Sequence, residues 1–215
     1  MQFTTYLLRI SAAFSAITVA ASPLLSPSAF AADPSFNGEV VSPLGDASGL
    51  AIASNKITGT GSFVYQTKLD AIGSESSHAL SFSLKEGAQL NFVVYSDPSL
   101  GQGLEFSFSR NGTLLKALIV KNGELATALD ISSELSNINA SRVINLQIDV
   151  HNSESPAHIL VWDGLESEFS EDKALVNTEE ISGGSPGNGA GFRRGFILRD
   201  ATLLKSEATA EKFQH

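Results

Sequence analysis

The sequence predicts an all-β protein, a two-sheet antiparallel sandwich of jelly-roll type. Three observations carry that expectation. Apolar and polar residues alternate at a period of two in segment after segment. Turn signals, including Asn-Gly twice, Glu86-Gly87 and Asp97-Pro98, separate those segments. Helical spacing is scarce after residue 31, and no fixed-period repeat is visible.

The chain has 215 residues and opens on a segment unlike the rest. Arg9 precedes an apolar run of small residues, and Ala29-Phe30-Ala31 fits the small-x-small cleavage rule. The run is shorter than the roughly 20 residues that span a bilayer, and Pro23 and Pro27 interrupt its end. Residues 1–31 therefore read as a secretory signal peptide. The expected products are an exported, periplasmic or secreted domain over 32–205 and a polar tail over 206–215. No second stretch of membrane length follows.

The strands take their faces from the alternation. Phe63 and Tyr65 share a face, as do Leu80, Phe82 and Leu84. Leu90, Phe92 and Val94 alternate with Asn91, Val93 and Tyr95. Leu104, Phe106 and Phe108 alternate with Glu105, Ser107 and Ser109. Asn111-Gly112 and Asn122-Gly123 supply turn conformations, so 104–110, 113–121 and 124–128 are expected as a meander. Residues 131–138 suit one short helical turn. In 143–151, Ile144, Leu146, Ile148 and Val150 face a core, opposite Asn145, Gln147, Asp149 and His151. The run 192–204 closes the domain, bent near Asp200.

Composition narrows the function. The net charge is −9, which disfavours nucleic acid as a partner. There is no cysteine, so disulfides, thiol catalysis, Cys-bound zinc and lipoprotein attachment are excluded.

The strand order resembles the concanavalin A-like lectin/glucanase sandwich, including laminin-G-like modules. The resemblance rests on Ser81-Phe-Ser-Leu, on Gln89 to Tyr95, on Leu104 to Gly112 and on the closing Gly191 to Leu203. It implies carbohydrate binding, protein adhesion or glycan hydrolysis. The glucanase pattern Glu-x-Asp-x-x-Glu is absent, and so is a Gly-x-Ser-x-Gly elbow. The expectation is a non-catalytic module for glycan or cell-envelope polysaccharide. A structural or protein-interaction module of the envelope is the alternative, and a hydrolase acting through Glu105 and Asp149 comes third.

The candidate ligand contacts are Asn145, Gln147, Asp149, His151 and Trp162. Amides and carboxylates pair with sugar hydroxyls, and an indole offers an apolar platform to a sugar ring. Gln89, Asn91, Glu105, Ser107 and Ser109 are expected to extend the same polar face. Asp149, His151 and His158 fall close together across a hairpin, a weak metal signal weighed against a simple hairpin cap. The metal requirement is left open and no cofactor is expected, although Asp46, Asp97 and Asn188 are loop residues of the kind that bind calcium. Arg193, Arg194 and Arg199 are expected to pair with nearby acids.

Overall fold

The computed structural model describes residues 33–45, 48–68, 75–96, 100, 103–151, 157–164, 170–181 and 193–209. They lie in one compact unit, Ala32–His215. The strands are β1 (Ser35–Phe36), β2 (Glu39–Leu44), β3 (Leu50–Ala53), β4 (Lys56–Tyr65), β5 (Glu75–Ser96) and β6 (Leu104–Asn111). They continue with β7 (Leu114–Lys121), β8 (Leu129–Asp130), β9 (Ile144–His151), β10 (His158–Asp163), β11 (Val176–Thr178) and β12 (Arg193–Thr209). Short 3-10 turns occupy Leu125–Thr127 and Glu171–Lys173.

All pairings between these strands are antiparallel. Hydrogen bonding joins the twelve into one sheet, and that sheet folds over on itself. The fold line crosses three long neighbours, β4, β12 and β5. On β5 the register jumps from Gln89, opposite Arg199, to Leu84, opposite Ala201. Four residues of β5 thus face one of β12, Asp200. Gly87 (φ +73°) and Asp200 (φ +53°) take the left-handed conformations that such a bend requires. On β4 the corner falls at Gly59 (φ +111°), where a Cβ would strike the Gly49 carbonyl.

Two leaves result. The first runs β3–β4–β12–β5–β9–β10–β11 and uses the first half of β5. The second runs β1–β2–β4–β12–β5–β6–β7–β8 and uses its second half. Their inner faces meet through aromatic rings. Phe82 of the first leaf lies 5.2 Å from Phe108 of the second, and His78 lies 4.9 Å from Phe92. Phe196 stacks on Phe63 at 5.4 Å and touches Phe92 at 5.1 Å. Each buried ring removes enough apolar surface to contribute about 1.5–3 kcal/mol. The core alternation read from sequence is the one observed, and the bend at Asp200 falls where the sequence placed it.

Three boundaries differ from the sequence expectation. The meander has no third strand at 124–128. There the N–H groups of Thr127 and Ala128 donate to the carbonyls of Glu124 and Leu125, which makes a 3-10 turn, and pairing resumes only at Leu129–Asp130. Glu86-Gly87 is a corner inside β5 rather than the end of a strand. The closing strand extends through Ser206–Thr209, paired to Leu80–Ser77, so those four residues belong to the sheet and not to a tail.

Buried polar groups mark the rim of the core. Tyr95 (φ +59°) donates from its hydroxyl to the Val150 carbonyl at 3.1 Å. Its one proton is therefore used, and Ser76 donates to the Tyr95 oxygen at 3.1 Å. Ser76 in turn accepts from His78 Nε2 at 2.7 Å. This chain fixes His78 as the neutral Nε2–H tautomer. Burial, aided by the Arg194 charge, pushes its pKa down to about 3. Arg194 itself is buried, with its guanidinium 3.8 Å above the Tyr65 ring and ion-paired to Glu39. Burial pushes Tyr65 up to about 12, against the opposing effect of Arg194.

Candidate functional site

Each leaf has an outer face, and the polar residues singled out in the sequence divide between the two. Asn145, Gln147 and Asp149 lie on the outer face of the first leaf. Gln89, Asn91, Glu105, Ser107 and Ser109 lie on the outer face of the second. They do not form one continuous face, because β5 turns the corner between them.

The first-leaf face is assembled but closed. Gln147 is opposite Trp162, Asp149 opposite Leu160, and His151 opposite His158. The Ser77 hydroxyl donates to Asp149 Oδ1 at 2.6 Å, and Gln147 Nε2 donates to the same oxygen at 3.1 Å and to Ser77. Ser81 donates to Asn145 Oδ1 at 2.8 Å. The rings of His151 and His158 meet edge to face at 5.5 Å, as the hairpin spacing implied. Asp149 is 3% exposed, Trp162 5% and His151 6%. The indole N–H of Trp162 donates to the Ser170 carbonyl at 3.0 Å. Trp162 is thus neither an open sugar platform nor part of the inter-leaf core. His158 Nε2 lies 2.8 Å from Asn177 Oδ1. Among the described residues no group of three or more His, Cys, Asp or Glu side chains is placed to hold a metal. Asp46, Asp97 and Asn188 lie outside the described residues.

The second-leaf face is partly exposed and ordered. Antiparallel register sets Gln89 opposite Arg199 and Ser109, and Asn91 opposite Ile197 and Ser107. Val93 lies opposite Gly195 and Glu105. One line of hydrogen bonds runs across these strands. Arg199 Nη1 donates to Gln89 Oε1 at 3.5 Å. Gln89 Nε2 donates to Asn91 Oδ1 at 2.8 Å and to Ser107 at 3.0 Å. The Ser107 hydroxyl donates to Asn91 Oδ1 at 3.1 Å, and Asn91 Nδ2 donates to Glu105 Oε1 at 2.7 Å.

The two charged ends fix this order. A guanidinium only donates and a carboxylate only accepts, so each amide has one possible orientation. Arg199 is exposed, Gln89 and Ser107 are half-buried, and Asn91 is 8% exposed. Burial pushes the Glu105 carboxyl above its usual range, with the Arg199 charge opposing. Beside Glu105 the outer face turns apolar, with Val93 and Val120 buried and Leu100 seated over Gly195. A Cβ on Gly195 would come within 2.6 Å of Leu100 and 2.7 Å of the Phe63 carbonyl.

Arg199 was grouped in the sequence with Arg193 and Arg194 as an ion-pairing cluster. The structure separates them by parity. Arg194 shares the inner face with Phe196 and Leu198, whereas Arg199 shares the outer face with Ile197. The alternation of β12 was the signal that distinguishes them. Glu105 and Asp149, considered together as a hydrolytic pair, stand on the outer faces of opposite leaves and form no pair.

No family model matches the sequence, and no curated protein matches it. Solved structures do resemble it. One is the carbohydrate binding module CBM66 from Bacillus subtilis, at 13% identity, covering 78% of this chain and 94% of that one, with a TM-score of 0.49. Another is the VIP36 exoplasmic/lumenal domain in a Ca2+/Man3GlcNAc-bound form, at 10% identity, 81% and 84% coverage and a TM-score of 0.49. The Caenorhabditis elegans galectin LEC-6 is similar at 6% identity, 74% and 99% coverage and a TM-score of 0.43. These are likenesses of fold.

Proposed function

We propose that the chain is an exported, non-catalytic module that binds glycan, in the setting of the cell envelope, through the outer face of the second leaf. The observation that carries this is the Arg199–Gln89–Asn91–Glu105 line. Its planar groups are held by one another before any ligand arrives, so little ordering cost remains at binding. Sugar hydroxyls both donate and accept, and such a row meets both needs. The reading assigns contacts to this face rather than to Gln147, Asp149, His151 and Trp162, which are shielded from solvent, or to Asn145, which is half-buried and already accepts from Ser81. Non-catalytic action accords with the carboxylates. Glycoside hydrolysis needs two carboxyl groups about 5–10 Å apart across one bond, and Glu105 and Asp149 face away from each other.

The test is a glycan and envelope-polysaccharide array probed with the chain as purified from expressing cells, whose intact mass reads cleavage after Ala31. Arg199→Ala and Glu105→Gln should each weaken binding to the sugars retained, at unchanged folding. Binding that ignores both substitutions, or no binding by folded protein, refutes the reading.

A further inference from the structure

The hydrogen-bond accounting of the second-leaf face says what kind of glycan it accepts, and the inference rests on the glycan-binding reading above. Gln89 spends both amide protons, on Asn91 and Ser107. Asn91 Oδ1 is filled by Gln89 and Ser107. The middle of the row is therefore largely satisfied by itself. Unused capacity collects at the ends, as acceptor sites on Glu105 and donor sites on Arg199.

The two ends differ in how much they need a partner. Arg199 is exposed and water serves its N–H groups. Glu105 is half-buried beside Val93 and Val120 and, among the described residues, receives one hydrogen bond, from a neutral amide. Burial costs its charge more than Arg199 returns. A ligand hydroxyl would add one neutral hydrogen bond, whereas an ammonium adds several charge-assisted ones and neutralises the carboxylate. The long-range field agrees, since a chain of net charge −9 attracts cations.

From this juxtaposition of a desolvated, under-donated carboxylate with a self-satisfied amide row, we infer that the face selects a glycan bearing a free amino group, seated at Glu105. The sugar's hydroxyls meet Arg199 and the outward edges of Gln89 and Ser107.

A matched pair of hexosamine oligomers of equal length tests this, one fully N-acetylated and one fully N-deacetylated. Titration calorimetry should give the full-length protein at least tenfold tighter binding to the deacetylated oligomer. Glu105→Gln keeps the shape and the Asn91 contact. It should erase that preference, affinity for the deacetylated oligomer falling at least tenfold further than affinity for the acetylated one. Arg199→Gln should leave the preference intact. Equal binding of the two oligomers, or a preference that survives Glu105→Gln, overturns the inference. If other sugars then bind and respond to Arg199→Ala, the glycan reading stands and only the amine falls. If no sugar binds, both fall.

Discussion

Acid should destabilise this protein through His78. Its ring is fully buried against Phe92, its Nε2–H is committed to Ser76, and its pKa is held at about 3. In the unfolded chain the same ring titrates near 6.5. Between those values the unfolded state binds a proton that the folded state does not. Stability is therefore unaffected above about pH 6.5 and falls as the pH drops towards the folded value. The slope is about 1.4 kcal/mol per pH unit. From pH 6.5 to pH 4 the loss amounts to about 3 kcal/mol, a large share of the stability of an ordinary domain. Glu105 works in the opposite sense, because its raised pKa makes the folded state the better proton binder, but it is present in wild type and variant alike. The measurement is urea denaturation from pH 4 to 7.5, followed by the fluorescence of the single tryptophan, for wild type and His78→Leu. Ser76 keeps its bond to Tyr95 in the variant. The wild-type minus variant difference should fall by about 3 kcal/mol across the range. Parallel stability curves would show that His78 is not a buried neutral group and would refute the argument.

Two further substitutions probe the buried polar groups. Glu39→Gln strands the Arg194 guanidinium over Tyr65 and should cost about 2 kcal/mol, below the usual 3–5 because Glu39 is partly exposed. Adding Arg194→Met should recover part of that loss in thermal unfolding, and a double variant less stable than Glu39→Gln would contradict the assignment. Asp149→Ala removes the acceptor shared by Ser77 and Gln147 and should cost about 2–4 kcal/mol in chemical denaturation. A change under 0.5 kcal/mol would mean that the network contributes nothing to stability.

Much of the fold was legible because parity is local. Leu80 and Phe82, Phe106 and Phe108, and Ile144 to Val150 announce their inner face by alternation alone, and each is buried there. The corner was only half legible. Asp200 and Glu86-Gly87 looked like bends, but nothing local shows that both bend at the same level of one ribbon, since that depends on the pairing of residues more than a hundred positions apart. The segment 124–128 misled for a related reason. Its Asn-Gly turn is real, with Asn122 and Gly123 both at positive φ, yet the residues after it lack alternation and close on themselves.

The site was legible to the same depth. Alternation identified both polar outer faces, and their composition is nearly the same: amides, serines and one carboxylate each. What separates them is the exposure of their charged residues, Asp149 buried against Glu105 half-buried and Arg199 exposed, and that is set by what lies above a face, which parity does not encode. On the first leaf Asp149 is the shared acceptor inside a closed network, so its hydrogen-bonding power is spent on Ser77 and Gln147. On the second leaf the amides satisfy one another and leave Glu105 short of donors at a half-open position. A polar residue buried with its partners stabilises a fold, whereas one held rigid and left under-partnered is available to a ligand. That distinction moves the candidate site from Asp149 to Glu105. On the proposed reading it also makes Glu105 the better mutational target, since it is half-buried and held by a single neutral amide.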